Sequence, residues 1–412
     1  MICLPVFWLH LRARYLVDKS KEGHGTNYIY EAIVLDREAL ELCPPGHPER
    51  DDSLLSLALH LGKRYDQLGA MEDLNDAIVL ARDALALRPL GHPDRSASLN
   101  NLANRLSSRY DQLGAMEDLN GAIVLARDAL ALCPPGHPDR SKSLNNLAVR
   151  LFTRFKRLGA MEDLNEAIVL DQEALALRPP EHPYRSSSLS NLAAVLFSRF
   201  NQRGEMEDLN EAIVLNRDAL ALCPLEHPAR SRSLSNLAAV LFTRFNQLGE
   251  MEDLNEAIVL NRDALALHPP GHPDRSMSLN DLAIHLSTRF DQLGAMEDLN
   301  EAIVLNRDAL ALCPPGHPDR SASLGNLASH LSSRYNQLGA MENLNETISL
   351  ARDALEEPGR TSRVESVAHN EDGGGELLEV FVPSFPLGLS PYARVGRRPV
   401  EFARSWVRLQ RG

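Results

Sequence analysis

The sequence predicts an all-α fold, a right-handed α-solenoid of about eight stacked antiparallel helix pairs. Three observations carry this. The dipeptide His-Pro recurs at His47, His92, His137, His182, His227, His272 and His317, each step being 45 residues. Each unit contains two apolar runs at helical spacing, and one such hairpin cannot bury both faces alone, so the units must stack. The composition agrees: aromatics are 5% of the chain, and a core rich in Leu and Ala is helical rather than a β-sandwich.

The second full unit, His92 to Gly136, shows the elements in order. Leu99, Leu102, Ala103, Leu106, Tyr110 and Leu113 form one face of a first helix, at steps of 3, 1, 3, 4 and 3. Pro93 suits its first turn, where a missing N–H is harmless, and Asp94 suits the positive helix end. Gly114 stands at its C-cap. In the second helix Leu119, Ala122, Ile123, Ala126 and Leu130 share one face, and Leu125, Ala129 and Leu132 another, so it packs between neighbours. Glu117 and Asp118 open it, and Pro134 and Pro135 stop it.

The first pair is degenerate. Leu4, Trp8, Leu11, Arg14 and Tyr15 align with Leu54, Ala58, Leu61, Arg64 and Tyr65 at an offset of 50, whereas 30–44 return to 45. This implies five extra residues within 16–27. The expected domains are a degenerate capping repeat over 1–46, seven repeats over 47–357, and a largely disordered tail over 358–412. That tail has no repeat match and carries eight basic against six acidic side chains. Its EDGGGE stretch reads as a flexible linker. Its VEFARSWVRLQR stretch suits one short basic amphipathic helix, for a membrane surface or a partner helix.

Charge and apolar runs exclude several classes. A net charge of −13 argues against a nucleic-acid partner. No apolar run is long enough to span a membrane. MICLPVFWLHL has no basic segment before it and no cleavage signal, so the expected location is cytoplasmic, with reduced thiols. Cys43, Cys133, Cys223 and Cys313 sit at one repeat position two units apart, too far for disulfides, with Arg88, Arg178 and His268 between them.

No catalytic residue, metal site or cofactor is expected. The His-Pro histidines lie one repeat apart and cannot converge on one ion. His60, His285 and His330 are isolated in sequence, and EDGGGEL lacks the Lys-Ser/Thr of a phosphate loop.

The unit resembles the tetratricopeptide repeat family, whose signature runs W-x2-L-G-x2-Y, A-x3-F and P. Leu99, Leu102, Ala103 and Leu106 match the first helix, Ala122 and Ala129 the second, and Pro134 the terminal proline. The usual second-helix aromatic is replaced by Ala126, Asn216, Asn261 and Asn306. The length and the HPD-x3-SLNNLA wording are similar to the kinesin-light-chain-like type, and most like fungal arrays that often precede a caspase-like peptidase domain.

That resemblance implies a non-enzymatic scaffold binding an extended peptide or partner segment in a concave groove lined by first helices. The alternative it implies is the regulatory array of a peptidase system whose catalytic domain is absent from this chain. A motor-adaptor role ranks last, because it requires a coiled coil ahead of the array. The family's peptide-holding amides map onto Asn101, Asn146, Asn191, Asn236, Asp281 and Asn326, with Ser56 in the first full unit. An amide both donates and accepts, as a peptide backbone does. The other reading of these amides is that they are solvated or bridge adjacent first helices. Six residues on, Phe152, Phe197 and Phe242 replace the Gly62, Ser107, Ser287 and Ser332 of outer units. They are either an apolar recognition strip or packing between units.

Overall fold

The computed structural model describes residues 4–21 and 27–356. The tail over 358–412 lies outside them. Sixteen helices follow in order: α1 Leu4–Lys21, α2 Asn27–Glu41, α3 Arg50–Leu68, α4 Met71–Ala86, α5 Arg95–Leu113, α6 Met116–Ala131, α7 Arg140–Leu158, α8 Met161–Ala176, α9 Arg185–Arg203, α10 Met206–Ala221, α11 Arg230–Leu248, α12 Met251–Ala266, α13 Arg275–Leu293, α14 Met296–Ala311, α15 Arg320–Leu338 and α16 Met341–Glu356. No strand occurs among the described residues. The all-α solenoid class predicted from the sequence is the one the chain adopts.

The chain divides into two compact units, Met1–Gln202 and Arg203–Gly412. In the first, the hairpins α1–α2, α3–α4, α5–α6 and α7–α8 stack through the α2–α3, α4–α5 and α6–α7 contacts. In the second, hairpins α11–α12, α13–α14 and α15–α16 stack in the same way, α10 packing on α11. The core repeats with the sequence: Leu99, Leu102, Ala103 and Leu106 of α5 are buried with Leu119, Ala122, Ile123 and Ala126 of α6. Gly114 closes α5 in the left-handed region at φ 67°, its N–H donating to the Tyr110 carbonyl at 2.7 Å. No described helix is long and apolar enough to cross a membrane.

The helix start differs from the expectation. α5 begins at Arg95, so Pro93 lies in the turn before the helix and Asp94 is the N-cap, without a side-chain capping bond. The turn is held by histidine instead. His92 Nδ1 accepts the Asp94 backbone N–H at 3.2 Å, and the same bond recurs from His47 to His317 in every unit. Supplying an acceptor two residues ahead orders the connection before the helix begins.

The register of α1 also differs. Its buried residues are Val6, Ala13, Leu16 and Val17, whereas Trp8 is 61% exposed and Leu11 and Tyr15 are exposed with it. Ala13 and Leu16 therefore stand where Ala58 and Leu61 stand, at the uniform offset of 45. The reason is size. Ala58, Ala103, Ala148, Ala193, Ala238 and Ala283 are all buried at this repeat position. A tryptophan there would force the hairpin apart, while Ala13, with no exposed surface at 0%, fits. Leu16→Ala should thus cost about 2–5 kcal/mol in a denaturant melt, and Leu11→Ala under about 0.5 kcal/mol. The opposite ranking would restore the offset of 50.

Candidate first-helix groove

Much of the repeated polar sequence is consumed by the scaffold. The arginine opening each first helix donates through Nη1 to the carbonyl that ends the preceding helix pair, as Arg140 does to Cys133 O at 2.8 Å. Arg109 makes a two-pronged pair across its hairpin, Nε and Nη2 donating to Asp118 Oδ2 and Oδ1 at 2.8 and 2.6 Å. Arg64–Asp73, Arg154–Asp163, Arg244–Asp253 and Arg289–Asp298 repeat it. Such bidentate pairs fix geometry as well as adding energy. Cys43, Cys133, Cys223 and Cys313 are free and buried, Cys133 Sγ lying 3.6 Å from Ser143 Oγ.

The residues expected to line a groove lie on the first helices. In the first unit the expected amides are half-buried. Asn146 Nδ2 donates to Asn100 Oδ1 at 3.2 Å, and Asn191 Nδ2 donates to Asn145 Oδ1 at 3.1 Å. Asn100 passes the link on, its Nδ2 donating to Ser143 Oγ at 3.0 Å. One N–H of Asn146 and one of Asn191 thus bridge to the preceding first helix, as the bridging alternative has it. A second N–H and the carbonyl oxygen are left over. Asn101 faces a small cleft with Leu55, Leu59 and Arg105. In the second unit Asn236, Asp281 and Asn326 are half-buried. Although part of Asp281 remains accessible, burial pushes its carboxyl up to about 7.

The phenylalanines part company. Phe197 is 1% exposed and stacked on Phe200 with ring centroids 6.2 Å apart. It is core, and the exposed-strip reading fails for it. Phe152 and Phe242 are half-buried. The Lys156 ammonium lies 4.8 Å from the Phe152 ring centroid, and Phe242 lies against His285 at 4.2 Å.

A second polar column escapes the sequence reading. The second-helix position that lacks its aromatic faces the first helix of the next pair, 24 residues on. Asp36 Oδ2 meets His60 Nδ1 at 2.5 Å, Asn261 meets His285 at 3.1 Å, and Asn306 meets His330 at 2.8 Å. His60, His285 and His330 are therefore paired, not isolated. Burial lowers His285 to about 3 and His330 to about 4, so both rings are neutral. The available signal was covariation between two repeat positions within one chain.

Arg150 breaks this column. It stands 24 residues after Ala126, is 4% exposed, and has no ion pair among the described residues. Nη2 donates to Asn104 Oδ1 at 2.6 Å and Nη1 to the Asn146 carbonyl, while Nε has no partner. Burial alone drives its pKa down to about 10, which still leaves it charged. Arg150 lines a cleft of about 240 Å³ between α5 and α7, with Asn104, Ser108, Tyr110, Asn146 and Val149 on its walls. Asp111, whose carboxyl is raised by burial, sits at the cleft as well. A buried cation answered only by neutral acceptors is costly to keep.

Residues 95–139, one complete unit, match the tetratricopeptide repeat family. The chain is similar to that family over this one unit. Several solved structures are similar to the chain. A Podosopora anserina putative kinesin light chain with nearly identical tetratricopeptide-like repeats is 23% identical over 54% of this chain and 99% of that one, at a TM-score of 0.40. The apo quorum sensor NprR of B. thuringiensis is 15% identical over 85% and 89%, at 0.50. A monomeric IFIT1 mutant with Gppp-AAAA is 16% identical over 80% and 68%, also at 0.50. No curated protein matches the sequence. Within this helical array, then, the first-helix face of the first unit carries both the part-free amides and a buried arginine without an ion pair.

Proposed function

We propose that the chain is a non-catalytic scaffold for protein partners, and that a ligand segment lies along the first helices of residues 1–202. Its backbone meets the free halves of the Asn101, Asn146 and Asn191 amides. An acidic group of the ligand, a side chain or a terminal carboxylate, answers Arg150 in the cleft between α5 and α7. The observation that supports this is the buried, charged Arg150, which forms no ion pair although Asp111 also lines its cleft of about 240 Å³. A guanidinium offers paired donors that match a carboxylate.

Selection of displayed random peptides on the full chain tests it. Enriched peptides should carry Asp, Glu or a free C-terminus, and Arg150→Met should weaken them by about 1.5–3 kcal/mol, tenfold or more. The same substitution should leave the melting temperature unchanged or higher, since it removes an unpaired buried charge. Asn146→Ala should weaken peptides of different sequence alike. Selected peptides without an acidic group, or indifferent to Arg150→Met, would refute the reading.

A further inference from the structure

Outside the groove, the connection between α12 and α13 gathers ligands of another kind. It reads His268-Pro-Pro-Gly-His272-Pro-Asp274. The His-Pro histidines cannot share an ion, because each lies a repeat from the next. His268 is not one of them: it occupies the position held elsewhere by Cys43, Arg88, Cys133, Arg178, Cys223 and Cys313. Only in this connection do both positions carry imidazole.

The turn brings them together. His272 N–H donates to the Pro269 carbonyl at 3.0 Å, and Gly271 takes φ 91°, which a side chain would resist. The two rings lie 4.2 Å apart, centroid to centroid. One nitrogen of each ring and one oxygen of Asp274 lie within 4.8 Å of one another. Among the described residues no other three such ligands converge. Where cysteine holds the position it turns to the buried serine of the next helix, as Cys223 does to Ser233 at 3.8 Å. A thiol is too short to reach the histidine ring, whereas an imidazole extends to it.

We propose that His268, His272 and Asp274 form a binding site for a divalent transition-metal ion, with Zn²⁺ the best match. Two imidazoles and a carboxylate are a zinc-type ligand set that leaves positions open for water or a partner's side chain. The supporting shell is present: His268 Nδ1 lies 2.8 Å from Ser278 Oγ, which fixes the ring and leaves Nε2 as its ligand atom. Burial and the neighbouring His272 lower the pKa of His268, favouring the neutral ring a metal needs. Binding asks two adjustments. The three atoms must close toward the roughly 2.0–2.2 Å bond lengths of zinc. His272 Nδ1 now accepts the Asp274 N–H at 3.1 Å, so ligation through Nε2 moves the ring proton to Nδ1 and gives that bond up. Arg275, which donates to the His268 carbonyl, is the cation that opposes the ion, and Asp274 offsets it.

Calorimetric titration of the full chain with ZnCl₂ in a non-chelating buffer decides the matter. Wild type should show a saturable binding event and a higher melting temperature with zinc. Both should be lost in His268→Arg, which installs the residue that the same fold holds at Arg88 and Arg178. Both should also be lost in Asp274→Ala, which copies Ala229. Melts without metal verify that the variants fold, and His268→Gln, similar in size but not a zinc-type ligand, is read the same way if His268→Arg fails to fold. No saturable binding in wild type, or binding that survives His268→Arg, overturns the site.

Discussion

Phe197→Ser should lower the stability of the chain by about 3–5 kcal/mol in a urea melt, although serine is what outer repeats carry at this position. The hydroxyl is not the source of the loss. Ser107 Oγ, at the equivalent place, donates to the Ala103 carbonyl at 3.0 Å, and a serine at 197 has the Ala193 carbonyl in the same relation. The loss comes from the void. Phe197 has almost no exposed surface and stacks on Phe200, and a rigid helical stack closes only partly around a missing ring. Phe152→Ser, at a half-buried ring, should cost clearly less. A loss below about 1 kcal/mol for Phe197→Ser, the level of an ordinary surface change, would place this ring on a recognition surface after all.

The fold was legible because its signal is repeated and local. The face of Leu99, Leu102, Ala103 and Leu106 recurs in unit after unit, and helical spacing needs no knowledge of partners. The α1 register was misread for a definite reason. Matching Arg14-Tyr15 to Arg64-Tyr65 ranked shared letters above size, and so put Trp8 at a position that admits only alanine. The ladder amides were legible as a repeated position but not in their partners. The sequence marks Asn146 and Asn191, but their bridges run to Asn100 and Asn145 on another helix, 46 residues back. The buried column was illegible one residue at a time. Asn306 is merely an odd letter until His330 faces it, and Arg150 merely a variable one until it is matched with Ala126, 24 residues back. His268 is illegible as a ligand because it stands in the cysteine column, apart from the His-Pro column, and only the turn joins the two.

The same column supplies the other large effect. Asp171→Ala should stabilise the protein at pH 8 by up to about 4 kcal/mol, and by little at pH 4. Asp171 is 1% exposed, and neither carboxylate oxygen has a hydrogen-bond partner. The residue 24 positions on, where His60, His285 and His330 answer their partners, is Val195, which offers none. Burial therefore lifts the carboxyl from 3.8 to about 7, against the pull of the Arg178 guanidinium. The folded chain holds this proton longer than the unfolded chain does. Stability from this group is then greatest below about pH 4 and falls as pH rises toward 7, the reverse of a salt-bridged aspartate. Alanine is the better replacement, because Ala81 and Ala126 already fill the position in this fold, while an asparagine would keep an unpaired amide against Val195. Arg178 does not lose its anchors, since it donates to the Tyr184 carbonyl at 3.2 Å and to Ser188 Oγ. Groups common to both proteins cancel in the difference between the two melts. The gap between wild type and Asp171→Ala should accordingly widen from pH 4.5 to 8, and curves that stay parallel would mean that the carboxylate is solvated or paired in the folded state.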